Sequence, residues 1–212
     1  MFSDRVFADR VDAGRRLAAR LTHLAGPDVV VVGLPRGGVV VAREVAAALT
    51  APLDVIVVRK LGVPGEPELA MGAVGERGVR VLNRDVVASL GVTPGQLAAV
   101  EAQERAEVVR RAATFRSGRA RVALKDQTVI VVDDGIATGA TARAACQVAR
   151  AEGARRVVLA VPVAPTDWRR RMSGVADELV CPSTPEPFFG IGQFYDDFAQ
   201  TSDAEVVAAL AG

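Results

Sequence analysis

The chain has 212 residues, half of them apolar and 4% aromatic, with a formal charge of +1. This length suits one domain, or one domain with a cap, and its core must be built from Val, Ala and Leu. Near-neutrality argues against a general nucleic-acid or membrane-surface binder, and Arg36 and Arg43 interrupt the most hydrophobic region before it reaches membrane-spanning length.

Asp9 or Asp12 caps an amphipathic first helix running to about Leu24, with Leu17, Leu21 and Leu24 on one face. Val29–Gly33 reads as a central strand, Gly37-Gly38 leads into a helix over Val39–Leu49, and Leu53–Val58 is the next strand, ending in Arg59-Lys60. Strand, helix, strand implies a right-handed parallel crossover. From Leu61 to Gly72, the residues Gly62, Pro64, Gly65, Pro67 and Gly72 break up any periodicity. The segment is expected to be a lid or binding loop rather than a regular element. Glu66 and Glu68 lie on it as surface carboxylates. A small hairpin follows, near Ala73–Gly75 and Val79–Leu82. From Thr93, a good N-cap, a long helix runs to about Phe115, packing by the stripe Leu97, Val100, Glu104, Val108, Ala112 and Phe115. Glu101/Arg105 and Glu107/Arg111 are favourable i,i+4 pairs, and the basic excess over 101–125 reads mainly as a solvated face.

Val129–Val132 is a buried parallel strand, followed by a helix over Thr141–Arg150. Arg156–Pro162 is a strand, Thr166–Met172 a helix, Glu178–Cys181 the last strand and Asp203–Leu210 a terminal helix. Met1–Arg5 lacks the basic-then-apolar order of a signal peptide. Cys146 and Cys181 form no CxxC and there is one histidine, His23, so neither a zinc site nor a redox dithiol is expected. A reducing cytoplasm fits these features.

Chemistry concentrates in Asp133-Asp134-Gly135-Ile136-Ala137-Thr138-Gly139-Ala140-Thr141. Two carboxylates stand at a strand's C-terminal tip, where open α/β sheets bind ligands. The Gly/Thr-rich turn then opens a helix, whose first N–H groups, joined by the Thr138 and Thr141 hydroxyls, make a phosphate cradle. A carboxylate pair beside such a cradle suits neutral hydroxyls or a divalent cation, so the ligand read from these residues is a sugar phosphate with a free diol. No GxGxxG follows the first strand and no Walker-type GxxxxGK[ST] occurs, which sets aside a dinucleotide-dependent oxidoreductase.

This segment resembles the phosphoribosyl pyrophosphate (PRPP) signature of type I phosphoribosyltransferases. The resemblance implies that Gly135 to Thr141 wraps the 5′-phosphate, while Asp133 and Asp134 receive the ribose 2′- and 3′-hydroxyls, directly or through Mg²⁺-bound water. It further implies that Arg36-Gly37, after the first core strand, is the pyrophosphate loop, which in other members often carries a non-proline cis peptide. Lys60 would meet the same pyrophosphate, with Arg36 and Lys60 stabilising the leaving group and Arg59 the weaker partner. Asp9-Arg10 with Ala13-Gly14, Gly33–Val39, Val58–Lys60 with Pro64-Gly65-x-Pro67-Glu68, and Gly72–Glu76 resemble, over nearly the whole chain, a bacterial family of phosphoribosyltransferases without an agreed acceptor. Ala137 stands where 6-oxopurine salvage members carry an acid, which argues against hypoxanthine or guanine.

The resemblance thus implies a parallel α/β sheet flanked by helices, with a flexible loop and a small hood over 182–199, joined by part of 1–25. It also implies a Mg²⁺-dependent transferase, serving nucleotide metabolism, that uses PRPP and a small nitrogenous acceptor. Phe188, Phe189, Phe194 and Tyr195 either stack on a planar acceptor or fill the hood's own core. A PRPP- or nucleotide-sensing regulator on the same fold is the alternative. Oligomeric state, including a homo-oligomer, is left open.

Overall fold

The computed structural model describes residues 6–212. The reading of Met1–Arg5 falls outside the described residues, as does any statement about the side chains of Pro67 and Glu68. In chain order the elements are α1 (Arg10–Ala18), β1 (Val29–Gly33), α2 (Gly37–Leu49), β2 (Leu53–Val55), β3 (Val58–Val63), β4 (Glu66–Gly75) and β5 (Arg80–Leu82). They continue with α3 (Arg84–Ser89), α4 (Pro94–Arg116), β6 (Thr128–Val132), α5 (Ala140–Ala151), β7 (Arg156–Ala160), α6 (Trp168–Arg171), β8 (Glu178–Val180) and α7 (Asp203–Ala211).

Five strands pair in parallel in the order β2-β1-β6-β7-β8, the helix-flanked parallel sheet expected from the sequence. Side-chain alternation splits the sheet's two faces. Val30, Val32, Val129, Val131, Val157 and Leu159 pack against α5 and against Trp168 and Met172. Val29, Val31, Ile130, Val132, Val158 and Ala160 pack against Leu17, Leu21 and the Val41/Val45 face of α2. Each large apolar side chain among them contributes about 1.5–3 kcal/mol on burial. β1 and β6 are in register from Val29↔Thr128 to Gly33↔Val132, so the chain leaves both strands side by side. Leu34 N donates to Val132 O at 2.8 Å across that exit.

The segment expected to be a lid is instead regular. β3, β4 and β5 form an antiparallel sheet, joined at Pro64-Gly65 with Gly65 at φ +86°. Its glycines serve the strands: Gly62 sits at a register shift, and a Cβ on Gly72 would lie 2.3 Å from Val81 O. Glycine in a strand marks a bulge or a close backbone approach, and both occur here. The apolar run Leu53–Val58 is likewise not one strand. β2 ends at Val55, Ile56 N donates to Gly33 O at 3.0 Å, and the chain then enters the second sheet. Lys60 therefore lies inside β3 and not at a tip of the parallel sheet. The expected hairpin of Ala73–Gly75 with Val79–Leu82 is present as β4 with β5.

Thr93 caps α4 in a capping box with Gln96, and the expected stripe packs on β3, β4 and α7 through Val108, Ala112 and Phe115. Arg105–Glu101 and Arg111–Glu107 form the expected pairs, at 2.7 and 2.5 Å. The end of the helix departs from a solvated face, because Arg116 is only 7% exposed. Its Nε donates to Asp54 Oδ1 at 2.9 Å, its Nη1 and Nη2 to Glu76 at 2.5 and 2.9 Å, and Nη2 also to Val55 O at 2.8 Å. Burial works against this charge, yet Glu76 and Asp54 hold its pKa above the ordinary value. Asp54 belongs to β2 and Glu76 follows β4, so one guanidinium ties the two sheets together.

Smaller differences have local causes. Asp9 caps α1, accepting from Asp12 N, but the helix stops at Ala18, and Leu21 and Leu24 are buried from a turn and a short 3-10 segment. α2 begins at Gly37 itself. α3, not expected from the sequence, is capped by Asn83, which accepts from Val86 N. No helix among the described residues is long and apolar enough to cross a membrane.

Candidate functional site

Asp133 and Asp134 extend β6 at its C-terminal tip. Asp134 N donates to Asp133 Oδ1 at 2.9 Å, fixing one carboxylate against the next residue's backbone. The other carboxylate is held from the start of the chain: Arg10 Nε donates to Asp134 Oδ2 at 2.8 Å. Arg10 Nη1 also donates to Ala199 O at 2.8 Å, and its guanidinium carbon lies 4.0 Å from the Phe198 ring centroid. Tyr195 Oη donates to Asp134 O at 2.6 Å. Burial, joined by the neighbouring Asp134 charge, holds the Asp133 carboxyl well above the usual carboxylate range. Burial also raises Asp134, against the pull of Arg10. Arg10 thus pairs with Asp134, while burial and the neighbouring carboxylate oppose ionisation of Asp133.

Glycines bring α2 onto this pair. A Cβ on Gly37 would lie 2.0 Å from Asp134 Oδ2 and 2.6 Å from Arg10 Nε. One on Gly38 would lie 2.8 Å from both Asp133 Cα and Val132 O. The first turn of α2, whose leading N–H groups have no intrahelical partner, therefore abuts the acid pair. Gly37→Ala is expected to cost about 1–3 kcal/mol by overpacking, read by chemical denaturation. Unchanged stability would contradict this packing.

Gly135 to Thr141 runs from the acid pair into α5. Gly135 packs on Ile191 and Val163, and Ile136 N donates to Val163 O at 3.0 Å, so the loop's start is buried. Ala137 and Thr138 are exposed, with Arg171 Nη1 donating to Ala137 O at 3.3 Å. Gly139, at the N-cap of α5, has φ +81°, and a Cβ there would lie 1.9 Å from Met172 Cε. Both constraints demand glycine.

The cationic residues read from the sequence are distributed over different hollows. A cleft of about 630 Å³ between Leu34-Pro35, β3 and α4 reaches Thr141 and is lined by Arg59, Lys60, Glu104 and Arg111. Lys60 also borders a second hollow of about 610 Å³, with Thr138, Ala140 and Arg143. Arg36 lines neither. It faces a third, of about 410 Å³, with Arg110, Arg111 and Asp203, and its Nη1 is 3.5 Å from Asp203 Oδ1. The Pro35–Arg36 peptide is cis. Arg36 and Lys60 thus line two neighbouring hollows that share Pro35 and Arg111. Arg59 is drawn to α4, with Nε 2.6 Å from Glu104 Oε2.

The aromatic cluster is also divided. Phe194 and Tyr195, 1% and 2% exposed, are buried with Phe7, Ala13 and Val163, so their rings offer no face to an acceptor. Phe188 packs on Phe194 at 5.0 Å, whereas Phe189 is 88% exposed. Asp9-Arg10 belongs to the family resemblance read from the sequence, which gives neither Arg10 nor Phe198 a place in this site. No local pattern points to them, since Arg10 lies 124 positions from Asp134.

The model of the phosphoribosyl transferase domain family matches residues 5–198. The chain belongs to this family. A Mycobacterium tuberculosis protein named "Putative phosphoribosyl transferase Rv0571c" is 61% identical over 206 residues, covering 97% of this chain and 46% of that protein. The same match is found in a second strain of that organism. The chain therefore spans about half the length of the curated relatives it matches. The crystal structure of TT1426 from Thermus thermophilus is 45% identical and covers 97% of both chains, with a TM-score of 0.89. The resemblance read from the Asp133–Thr141 motif and the parallel-sheet fold are both borne out by family membership and this structural match.

Proposed function

We propose that this chain is a Mg²⁺-dependent phosphoribosyltransferase that moves the 5-phosphoribosyl group of PRPP to a nitrogenous acceptor and releases pyrophosphate. The observation that carries the reading is the acid pair at the β6 tip, which abuts the glycine-built first turn of α2 and runs directly into the turn that opens α5. Asp133 and Asp134 would accept hydrogen bonds from the ribose 2′- and 3′-hydroxyls. The N–H groups and hydroxyls over Gly135–Thr141 would hold the 5′-phosphate. The Arg36-Gly37 segment would offer backbone N–H groups to pyrophosphate, with Lys60 as a point charge in the cleft.

In the reaction the bond from C1′ to the pyrophosphate oxygen breaks and a bond from C1′ to the acceptor nitrogen forms. The electron pair leaves with pyrophosphate, and any proton lost by the acceptor passes to solvent. Catalysis is then positioning of the ribose and stabilisation of the departing charge. No cluster of three or more His, Cys, Asp or Glu among the described residues could enclose a metal. Asp133 and Asp134, adjacent carboxylates at one strand tip, would hold Mg²⁺ through water. When bound there, Mg²⁺ would neutralise part of the phosphate charge.

We take the 182–199 segment, packed on Phe7 and α1, as the hood. Phe188, beside Glu186 and Thr166, and the exposed Phe189 would offer the accessible rings for an acceptor, and Ala137 disfavours a 6-oxopurine. The proposed setting is reducing and cytoplasmic, in keeping with two cysteines that both stand as free thiols.

Titration calorimetry with Mg²⁺-PRPP, followed by a pyrophosphate-release screen over purines, pyrimidines and simple amines, tests the reading. Binding with acceptor-dependent release is expected. Binding without release across the panel would favour the sensing regulator, and no binding would overturn the assignment.

A further inference from the structure

Arg36 and Lys60 are the cations that the motif pattern supplies for pyrophosphate, and they line two neighbouring hollows that share Pro35. One guanidinium lines both hollows. Arg111, toward the C-terminal end of α4, borders the Lys60 cleft and the Arg36 hollow alike. We propose that Arg111 is the guanidinium that binds the pyrophosphate group together with Lys60, a role that rests on the transferase reading and assigns α4 to the substrate site.

Charge and geometry support this choice. The cleft carries Arg59, Lys60 and Arg111 against Glu104, and Glu104 is occupied by Arg59 Nε at 2.6 Å. Lys60 and Arg111 are the other cationic residues that line the cleft. Arg111 meets Glu107 through Nε at 2.5 Å, a contact on its own helix that orients the guanidinium along α4. That contact uses Nε, and a guanidinium carries further N–H donors in a planar fork suited to two phosphate oxygens. Its side chain is 36% exposed, so it reaches a solvent-filled cleft without opening a core. The helix beneath is fixed: Phe115, one turn on, is buried with Val206 and Leu210 of α7, and Arg116 is locked to Asp54 and Glu76. Arg110 shares Glu107 but lines no part of the Lys60 cleft, which makes it a matched control.

The test is calorimetry on the full chain with magnesium pyrophosphate and, separately, with ribose 5-phosphate, which lacks the leaving group. Arg111→Gln is expected to weaken pyrophosphate by about tenfold or more and to leave ribose 5-phosphate unchanged. Arg111→Lys should recover part of the loss, and Arg110→Gln should bind both as the wild type does. Equal weakening by Arg110→Gln, or wild-type pyrophosphate affinity in Arg111→Gln, would overturn the proposal while the transferase reading stands. Loss of both ligands in Arg111→Gln would mark a structural role and also overturn it. If the wild-type chain binds neither ribose 5-phosphate nor PRPP, the transferase reading falls and takes this proposal with it.

Discussion

Asp133→Asn, alone or with Asp134→Asn, is expected to lower turnover by at least about 100-fold while making the ligand-free protein more stable. The two effects share a cause. Asp133 ends a buried strand beside a second carboxylate, and burial together with that neighbour holds its carboxyl well above the usual range. Its ionised form therefore destabilises the folded state, a cost that the proposed grip on a diol or a cation would offset. The sign follows from linkage: above the folded pKa the cost is fully present, and it is relieved as pH falls from there toward the unfolded value of about 3.9. Wild-type stability, measured without metal or ligand, should rise as pH is lowered through that window, and Asp133→Asn should flatten the rise. Asparagine keeps an oxygen to accept from Asp134 N, so the local turn survives. Pyrophosphate release and denaturation across pH read the two halves independently. Wild-type turnover in the double variant would defeat the catalytic assignment, and a destabilised single variant would defeat the electrostatic one.

Arg116→Met should be the most destabilising single change among the arginines of the long helix, at about 3–5 kcal/mol. Removing the guanidinium takes the cationic partner from buried Asp54 and leaves Glu76 with the longer 3.6 Å contact to Arg121. For a chain of this size that corresponds to a fall in Tm of about 6–20 °C. Adding Asp54→Asn and Glu76→Gln should recover part of the loss, because the uncompensated charges, more than the lost contacts, carry the penalty. A Tm shift of a degree or two for Arg116→Met, by differential scanning calorimetry, would mean that water reaches the cluster. The cluster also joins β2 to the end of β4, so the variant tests whether the sheet bearing Lys60 keeps its station against the sheet bearing the acid pair.

Parallel strands were legible because each is a continuous run of β-branched residues with its neighbours at fixed spacing, as in Val29–Gly33 and Val129–Val132. The acid pair and its turn were legible because residue type, order and distance all act locally. What escaped shares a different property. Leu61–Gly72 carries residues that usually break structure, yet Gly62 and Gly72 are required by a bulge and by Val81 O, which belongs to another strand. The break at Ile56-Val57 is invisible in an apolar run, since both sheets bury the same kinds of side chain. Arg10 looks like any first-turn arginine until Asp134 is folded against it. Arg36 and Lys60 each follow strands that a linear reading aligns, but β3 has already left the parallel sheet.

Gly139 packs directly on Met172, and Met172 shares a core with Trp168, the chain's one tryptophan. That indole is fully buried, and its Nε1 has no hydrogen-bond partner among the described residues. The protein thus carries a single indole fluorophore, shielded from solvent quenching and one side chain removed from the turn that opens α5. Its emission should be blue-shifted, and any displacement of Gly139 that moves Met172 is positioned to alter its intensity, giving an optical signal for occupancy of that turn without a label.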